Sequence, residues 1–490
     1  MPDEHQQTTR PISLHAFGPS EARRAHLVGV AGAGMRALAE VLLGWGWQLS
    51  GSDLAIAPVR GLAREGVRLH EGHSAAHLPP QADLLIYSAA VPPSNPELRR
   101  AAQLAIPAYS YFEMLGRLVS GRHTLAVAGT HGKSTVTAMA AEIFVRAGRD
   151  PTVFCGAAAL GRSSGGRAGK GELMLIEACE YQASFLHLRP RHAVILGIEP
   201  DHFDCYPSPA ELEEAFARFA GLVPADGLLL ARHNCPTSRR IAAELACRVE
   251  TFGIDGRADW SARKLSGRRA RYSFEICSHR RPLCRVSLPF PGRHNVVNAL
   301  AAAALAWENG VSAERIAWAL GRFRGLQRRL ELLGTWRGVV LVDDYAHHPT
   351  EVVATLGTLR RMFPGRRLWC VFQPHQVSRT ARLLDELAES LQNADRVLVA
   401  EIFRAREGPP RHGEVTAADL AQRIREVSAV PPASRGVAVE VPEVHAAEDI
   451  TRLLETRLAP GDVLVTMGAG DIRRICDGLI DRFREDRSAG

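Results

Sequence analysis

The residues best suited to chemistry stand in one run, LAVAGTHGKSTVTAMAAEIFVRA at residues 125–147. A short apolar stretch turns at Gly129, Thr130, His131 and Gly132, then continues in a helical pattern that opens with Lys133, Ser134 and Thr135. A helix that starts at a glycine turn leaves backbone N–H groups without internal partners and presents the positive end of its dipole. Such an end seats an anion, above all a phosphate chain. Lys133 can reach terminal phosphates, and the Ser134 hydroxyl can ligate magnesium. The loop is shorter than the usual phosphate loop, since Val127 stands where the distant glycine of G-x-x-x-x-G-K-[ST] falls.

Two further groups belong on the same edge. The apolar run at 173–176 ends in Glu177, and that at 192–198 ends in Glu199, Pro200, Asp201 and His202. In a parallel α/β sheet, ligands gather beyond the carboxyl ends of the strands. A hydroxyl, a carboxylate and an imidazole around a phosphate seat suit Mg-ATP. Later, Asn295 and Asn298 open an alanine-rich helix. Asparagines there serve as caps or pair with an adenine edge, and position alone leaves both open.

The elements that carry these groups alternate strand and helix along the chain, so the fold class expected is α/β with three domains. Residues 20–119 form a Rossmann-like domain: a strand at 25–30 runs into Gly29, Gly32, Ala33, Gly34 and Met35, a helix follows to about Gly44, and Asp53 ends the next strand. The glycine spacing G-x-x-G-x-G suits a dinucleotide, a nucleotide sugar or plain structural glycines. Residues 120–325 form a central P-loop-type ATPase domain on a mostly parallel sheet, with strands and turns over 225–290. Residues 326–490 form a second Rossmann-like α/β domain. Its strands at 339–342, 368–372, 396–400 and 463–466 end in polar clusters that include Asp343, Asp344, His347, His375 and Arg379.

Composition narrows the class. The 490 residues are 46% hydrophobic and carry a net charge of +7, with Lys133, Lys170 and Lys264 the only lysines. Arginines scattered along the whole length do not make a nucleic-acid surface, which needs clustering and a recognisable module. Nine cysteines without a C-x-x-C pair point away from zinc and disulfide frameworks and toward a reducing compartment. The N-terminal stretch lacks the apolar core of a signal peptide, and no apolar run spans a membrane. A cytoplasmic protein without nucleic-acid or membrane partners is expected.

GTHGKST, SFLHL, IEPDHFD, PGRHNVVNA, DDYAHHPTE, FQPH with SRT, and GAGDI together resemble the Mur ligase family, in the family's order over almost the whole chain. The glycine loop GVAGAGM looks like that of the alanine-adding branch. The resemblance implies an ATP-dependent ligase of peptidoglycan precursor synthesis. It phosphorylates the lactyl carboxylate of UDP-N-acetylmuramate to an acyl phosphate, which the amine of L-alanine then attacks. It implies ATP on Gly129 to Thr135, His131 near the γ-phosphate, Asn295 and Asn298 at adenine, and Arg329 and Asp344 on the rest of the nucleotide. Gly32, Ala33, Gly34, Met35, Ser52, Asp53 and Ser88 would hold the UDP-sugar. Ser134, Glu177 and His202 would ligate Mg2+, and Lys133, His202, His347 and Arg379 would act in catalysis, the last two facing the amino acid. The sequence departs from the family where Ala178, Cys179, Glu180 and Tyr181 replace the commoner Ala-Asp-Glu-Ser, at Gly197 for asparagine, and at Gln376 for arginine. Three other readings compete: a recycling ligase adding a tripeptide to the same sugar nucleotide, a non-catalytic nucleotide-binding module, and a nicotinamide oxidoreductase.

Overall fold

The computed structural model describes residues 23–488 except 255, 269, 406, 430–437 and 441–446, so the N-terminal stretch read for a signal peptide lies outside the described residues. Three sheets organise the chain. The first has five parallel strands in the order Arg68–Glu71, Gln48–Asp53, Arg24–Val28, Leu84–Tyr87, Ala108–Ser110. Strand order reverses between Arg24–Val28 and Leu84–Tyr87. The loops leaving these two strands therefore splay apart and open a crevice, the place where such sheets bind ligands. Helix Ala33–Gly44 starts in that crevice with Gly32 as its N-cap.

The second sheet has ten strands. Its parallel centre places His123–Ala128 between His192–Ile195 and Leu173–Glu177, and an antiparallel meander of Trp260–Arg268, Arg271–Ser278 and Arg281–Leu288 closes one end. The central strands are apolar and buried over most of their length, from Leu125 to Ala128, Met174 to Ile176 and Ala193 to Ile195, as in a parallel sheet covered on both faces. Helix Lys133–Arg146 packs beside helix Arg293–Glu308, whose alanines at 301 to 304 are buried and let the two axes come close. The sequence reading of 225–290 as strands and turns missed helix Pro236–Ala242, which starts with proline at its first position as helices favour. The strand expected to reach Ile198 ends at Ile195, since Leu196 and Gly197 turn to receive the phosphate loop.

The third sheet runs Glu331–Trp336, Val339–Asp344, Val463–Met467, Leu368–Phe372, Arg396–Val399, Ala438–Glu440, parallel except at its first strand. The cores are unequally shared. One hydrophobic cluster runs continuously from Leu27 and Leu38 in the first unit to Phe185 and Phe216 in the second, whereas the third unit has its own clusters around Val342, Phe372 and Leu464. The first two units are thus fused through apolar contact. The third meets them chiefly through polar side chains, and that seam carries the site.

Candidate active site

The phosphate loop follows strand His123–Ala128 and ends at Gly132, which has φ of 84° and caps helix Lys133–Arg146. A side chain at Gly132 is blocked twice over: the left-handed backbone disfavours it, and a Cβ would lie 2.8 Å from Asn298 Oδ1. The loop is pinned from the neighbouring strand end, where Thr130 N donates to Gly197 O at 2.9 Å and the Thr130 hydroxyl bonds Glu199 in both directions.

Lys133 is folded onto its own loop. Its Nζ donates to Gly129 O at 2.6 Å and to Thr130 O at 3.2 Å, and pairs with Glu180 Oε1 at 2.8 Å. Ser134 Oγ donates to Glu177 Oε1 at 2.9 Å, and Glu177 Oε2 accepts from Gly156 N. His202 sits in a turn with φ of 53°, its backbone N–H bonded to Asp201 Oδ1, its Nε2 3.3 Å from Glu180 Oε1 and its ring edge-on to Tyr181. Burial alone would raise the Glu180 carboxyl, but Lys133 and His202 outweigh it and hold it below the usual range.

Three expected contributors come from the third unit. His347 bonds Tyr345 O at 3.0 Å, and burial drives its pKa down to about 4, so the imidazole is neutral at physiological pH. Arg379 is buried and committed: its Nε donates to Asp201 Oδ1 at 2.8 Å, a second nitrogen lies 2.7 Å from the same oxygen, and the third faces His375 Nδ1 at 2.7 Å. Arg329 stacks over Tyr345 and lies 3.7 Å from Glu351. Asp344 accepts the N–H groups of Leu330 and Ala346, and burial lifts its pKa to about 6.

These groups line two adjoining cavities. The larger, about 480 Å³, takes Gly32, Ala33, Gly34, Met35 and Ser88 from the first unit, Lys133, Ser134, Glu177 and His202 from the second, and His347 and Arg379 from the third. The smaller, about 240 Å³, is walled by His131, Gly132, Thr135, Asn295, Asn298, Arg329 and Asp344. Ser52 and Asp53 stand apart from both. The Ser52 hydroxyl is buried and donates to Glu97 at 2.6 Å, and Asp53 accepts from Ala31 N at 2.9 Å, which fixes the glycine loop from behind. Neither asparagine caps its helix: Gly292 occupies the N-cap, Asn295 donates back to Pro291 O, and Asn298 Nδ2 donates to Asn295 Oδ1 at 3.0 Å.

Sequence reasoning passed over Tyr111 and Cys155 in the larger cavity and Phe290 and His294 in the smaller one. Tyr111 left no local signal, whereas His294 sits inside the quoted PGRHNVVNA run. Glu351, likewise inside the quoted DDYAHHPTE, accepts from the His347 backbone and faces His131 Nδ1 at 3.2 Å. Among the described residues, His131, Glu199 and His348 each bring one ligand-type atom to within 4.8 Å of the others, a cluster the sequence did not suggest.

The UDP-N-acetylmuramate–L-alanine ligase of Clostridium novyi is 37% identical to this chain over 461 residues, covering 94% of this chain and 97% of that protein. The chain belongs to the Mur ligase family. Three family descriptions match in succession: the Mur ligase family catalytic domain over residues 24–123, the Mur ligase middle domain over 127–306, and the Mur ligase glutamate ligase domain over 328–470. The crystal structure of a UDP-N-acetylmuramate–alanine ligase from Thermotoga maritima has the same Mur ligase fold, with a TM-score of 0.79 at 24% identity over 95% of this chain and all of that one. A murein peptide ligase from Psychrobacter arcticus is similar at a TM-score of 0.70 and 27% identity, covering 94% of this chain and 99% of that one.

Proposed function

We propose that this chain is an ATP-dependent ligase that joins L-alanine to the lactyl carboxylate of UDP-N-acetylmuramate through an acyl phosphate, in cytoplasmic peptidoglycan precursor synthesis. One observation carries the reading: a single cavity has walls from all three units, the glycine crevice, the phosphate loop, and His347 with Arg379. A carboxylate does not condense with an amine in water unless it is activated. Activation therefore requires the sugar-linked carboxylate, the γ-phosphoryl group and the amine to meet in one enclosed place.

Each residue then has a task. The N-terminal loop from Gly32 to Met35, with Ser88, receives the diphosphate end of the sugar nucleotide. Asn295, Asn298 and Asp344 hold the nucleoside of ATP in the smaller cavity, with Arg329 between the two cavities. Lys133 moves from its loop carbonyls to the phosphates and neutralises charge as the phosphoryl group transfers. The Ser134 hydroxyl and Glu177 carboxylate, 2.9 Å apart, are hard oxygen donors that suit magnesium, with His202 across the same cavity. When bound, the ion would add positive charge at the transferring phosphoryl group. His347, neutral, accepts a hydrogen bond from the incoming amine and orients it, and Arg379 supplies the cation for the alanine carboxylate.

The test is phosphate release from ATP in the presence of UDP-N-acetylmuramate, scanned across single amino acids and the stem tripeptide. L-Alanine should give the highest kcat/KM. Release with the tripeptide and none with alanine would make this a recycling ligase. Nucleotide binding without release under any condition would make it a binding module.

A further inference from the structure

A lysine ammonium has three donors, and those of Lys133 are all spent, on Gly129 O, Thr130 O and Glu180 Oε1. No phosphate can be engaged until one of these is released. The two carbonyls are neutral parts of the loop itself. Glu180 is the charged partner, and it holds His202 through the same oxygen. Its side chain is 2% exposed, and its second oxygen, Oε2, is buried without a hydrogen-bond partner. The backbone around it is fixed: Tyr206 Oη donates to Glu180 O at 2.6 Å, and Ser184 Oγ donates to Cys179 O at 2.8 Å. A carboxylate this deep, on so rigid a turn, does not swing out to solvent when its partner leaves.

We propose that Glu180 is a positioning residue that occupies the place of nucleotide phosphate in the resting site, holding Lys133 and His202 in order until the phosphates take Lys133 from it. The proposal rests on the reading of Lys133 as a phosphate ligand. It has a consequence of unusual sign. Polyphosphate must enter beside a buried carboxylate and compete with it for Lys133, so Glu180 weakens nucleotide binding while it aligns the groups that act on the bound nucleotide. A side chain that merely supports the fold would weaken binding and turnover together when removed.

The experiment measures the calorimetric Kd for Mg-ADP and the steady-state constants of Glu180→Gln, which keeps the shape and removes the charge. The ADP Kd should fall by about 5–50-fold, the range set by losing one charge-assisted competitor. In the same variant kcat should fall by about 10–100-fold, as expected when reacting groups lose alignment. Glu180→Asp keeps the charge but withdraws it from Lys133. It should tighten ADP binding by a smaller factor, and it serves if the glutamine variant does not fold. An ADP Kd unchanged or raised in the folded variants overturns the proposal. A raised Kd together with a higher Mg2+ requirement would make Glu180 a metal ligand instead. A wild-type chain that binds no ADP at all would overturn the phosphate-site reading beneath it.

Discussion

Arg379 shows how one side chain can carry two obligations. Its guanidinium faces the cavity wall yet spends two nitrogens on Asp201, and both side chains are nearly buried, at 4% and 7% exposed. Asp201 sits far below the usual carboxylate range: burial would raise it, but His202 and Arg379 prevail. Removing Arg379 therefore does more than remove a cation for alanine. Arg379→Ala should destabilise the protein by about 3 kcal/mol, because it strands a buried charge. It should also raise KM for L-alanine by about 10–100-fold, the worth of a charge-assisted bond. The double variant Arg379→Ala with Asp201→Asn separates the two effects, read by thermal melting and by alanine titration of phosphate release. Stability should largely return while the alanine KM stays high. If both return, Arg379 is only a clamp on Asp201, and the alanine carboxylate is held elsewhere. His347 is constrained in a similar way. An imidazole with a pKa near 4 is a poor base for an ammonium, so its use lies in orienting an amine that arrives neutral.

At the scale of elements, what the sequence could announce was whatever chemistry needs adjacent residues. Gly129 to Thr135 had to be a turn into a helix, and it is, because few packing arguments explain G-K-S-T at a strand end. Glu177 and His202 were legible for the same reason, each closing an apolar run on the loop's own sheet edge. The rest depended on tertiary neighbours. Ser52 and Asp53 look like ligand residues from spacing, but Glu97, reaching in from a helix 45 positions away, turns Ser52 aside. Nothing local to Asn295 foretells that Gly292 takes the cap, and nothing near Glu180 foretells its hold on Lys133. An absence is also legible. Several Mur ligases are thought to carry a carbamylated lysine near magnesium, downstream of the motif matching DHFD. This chain has no lysine between Lys170 and Lys264, and neither of those lines the larger cavity. Activity should therefore not depend on bicarbonate, and no lysine from 170 to 264 should show a carbamyl mass shift. Rescue of a CO₂-stripped preparation by bicarbonate would contradict this.

For the whole molecule, the seam between the fused first two units and the third decides when the site is assembled. That seam is polar. His131 in the phosphate loop reaches Glu351 at 3.2 Å and Glu199 at 3.4 Å, Thr350 donates to Glu199 at 2.6 Å, and His348 contacts Pro200 O at 3.3 Å. The charged and titratable groups facing His131 are thus Glu199 and Glu351, with the His348 ring tilted against it at 4.6 Å and Arg329 beyond Glu351. Burial opposes a charge on His131, but the two carboxylates prevail and raise its pKa from 6.5 to about 9. A raised pKa in the folded state means the folded form binds the proton more tightly than the unfolded form. The stabilisation is therefore full below pH 6.5, declines as pH rises, and is gone above about pH 9. Across that window the slope approaches about 1.4 kcal/mol per pH unit for one group. The carboxylates change nothing there, since both already titrate far below it: Glu199 at about 2, and Glu351 well below its ordinary value. Melting followed from pH 6.5 to 9.5 should show the stability advantage of the wild type over His131→Gln, which keeps a polar side chain but binds no proton, shrinking steadily, while the thiols of Cys155, Cys179, Cys370 and Cys476, pushed up by burial, lower both curves alike at the alkaline end. The two curves should converge at the alkaline end. Parallel curves across the whole range would mean that His131 carries no proton at the seam, and that Arg379 with Asp201 is the charged pair holding the third unit there.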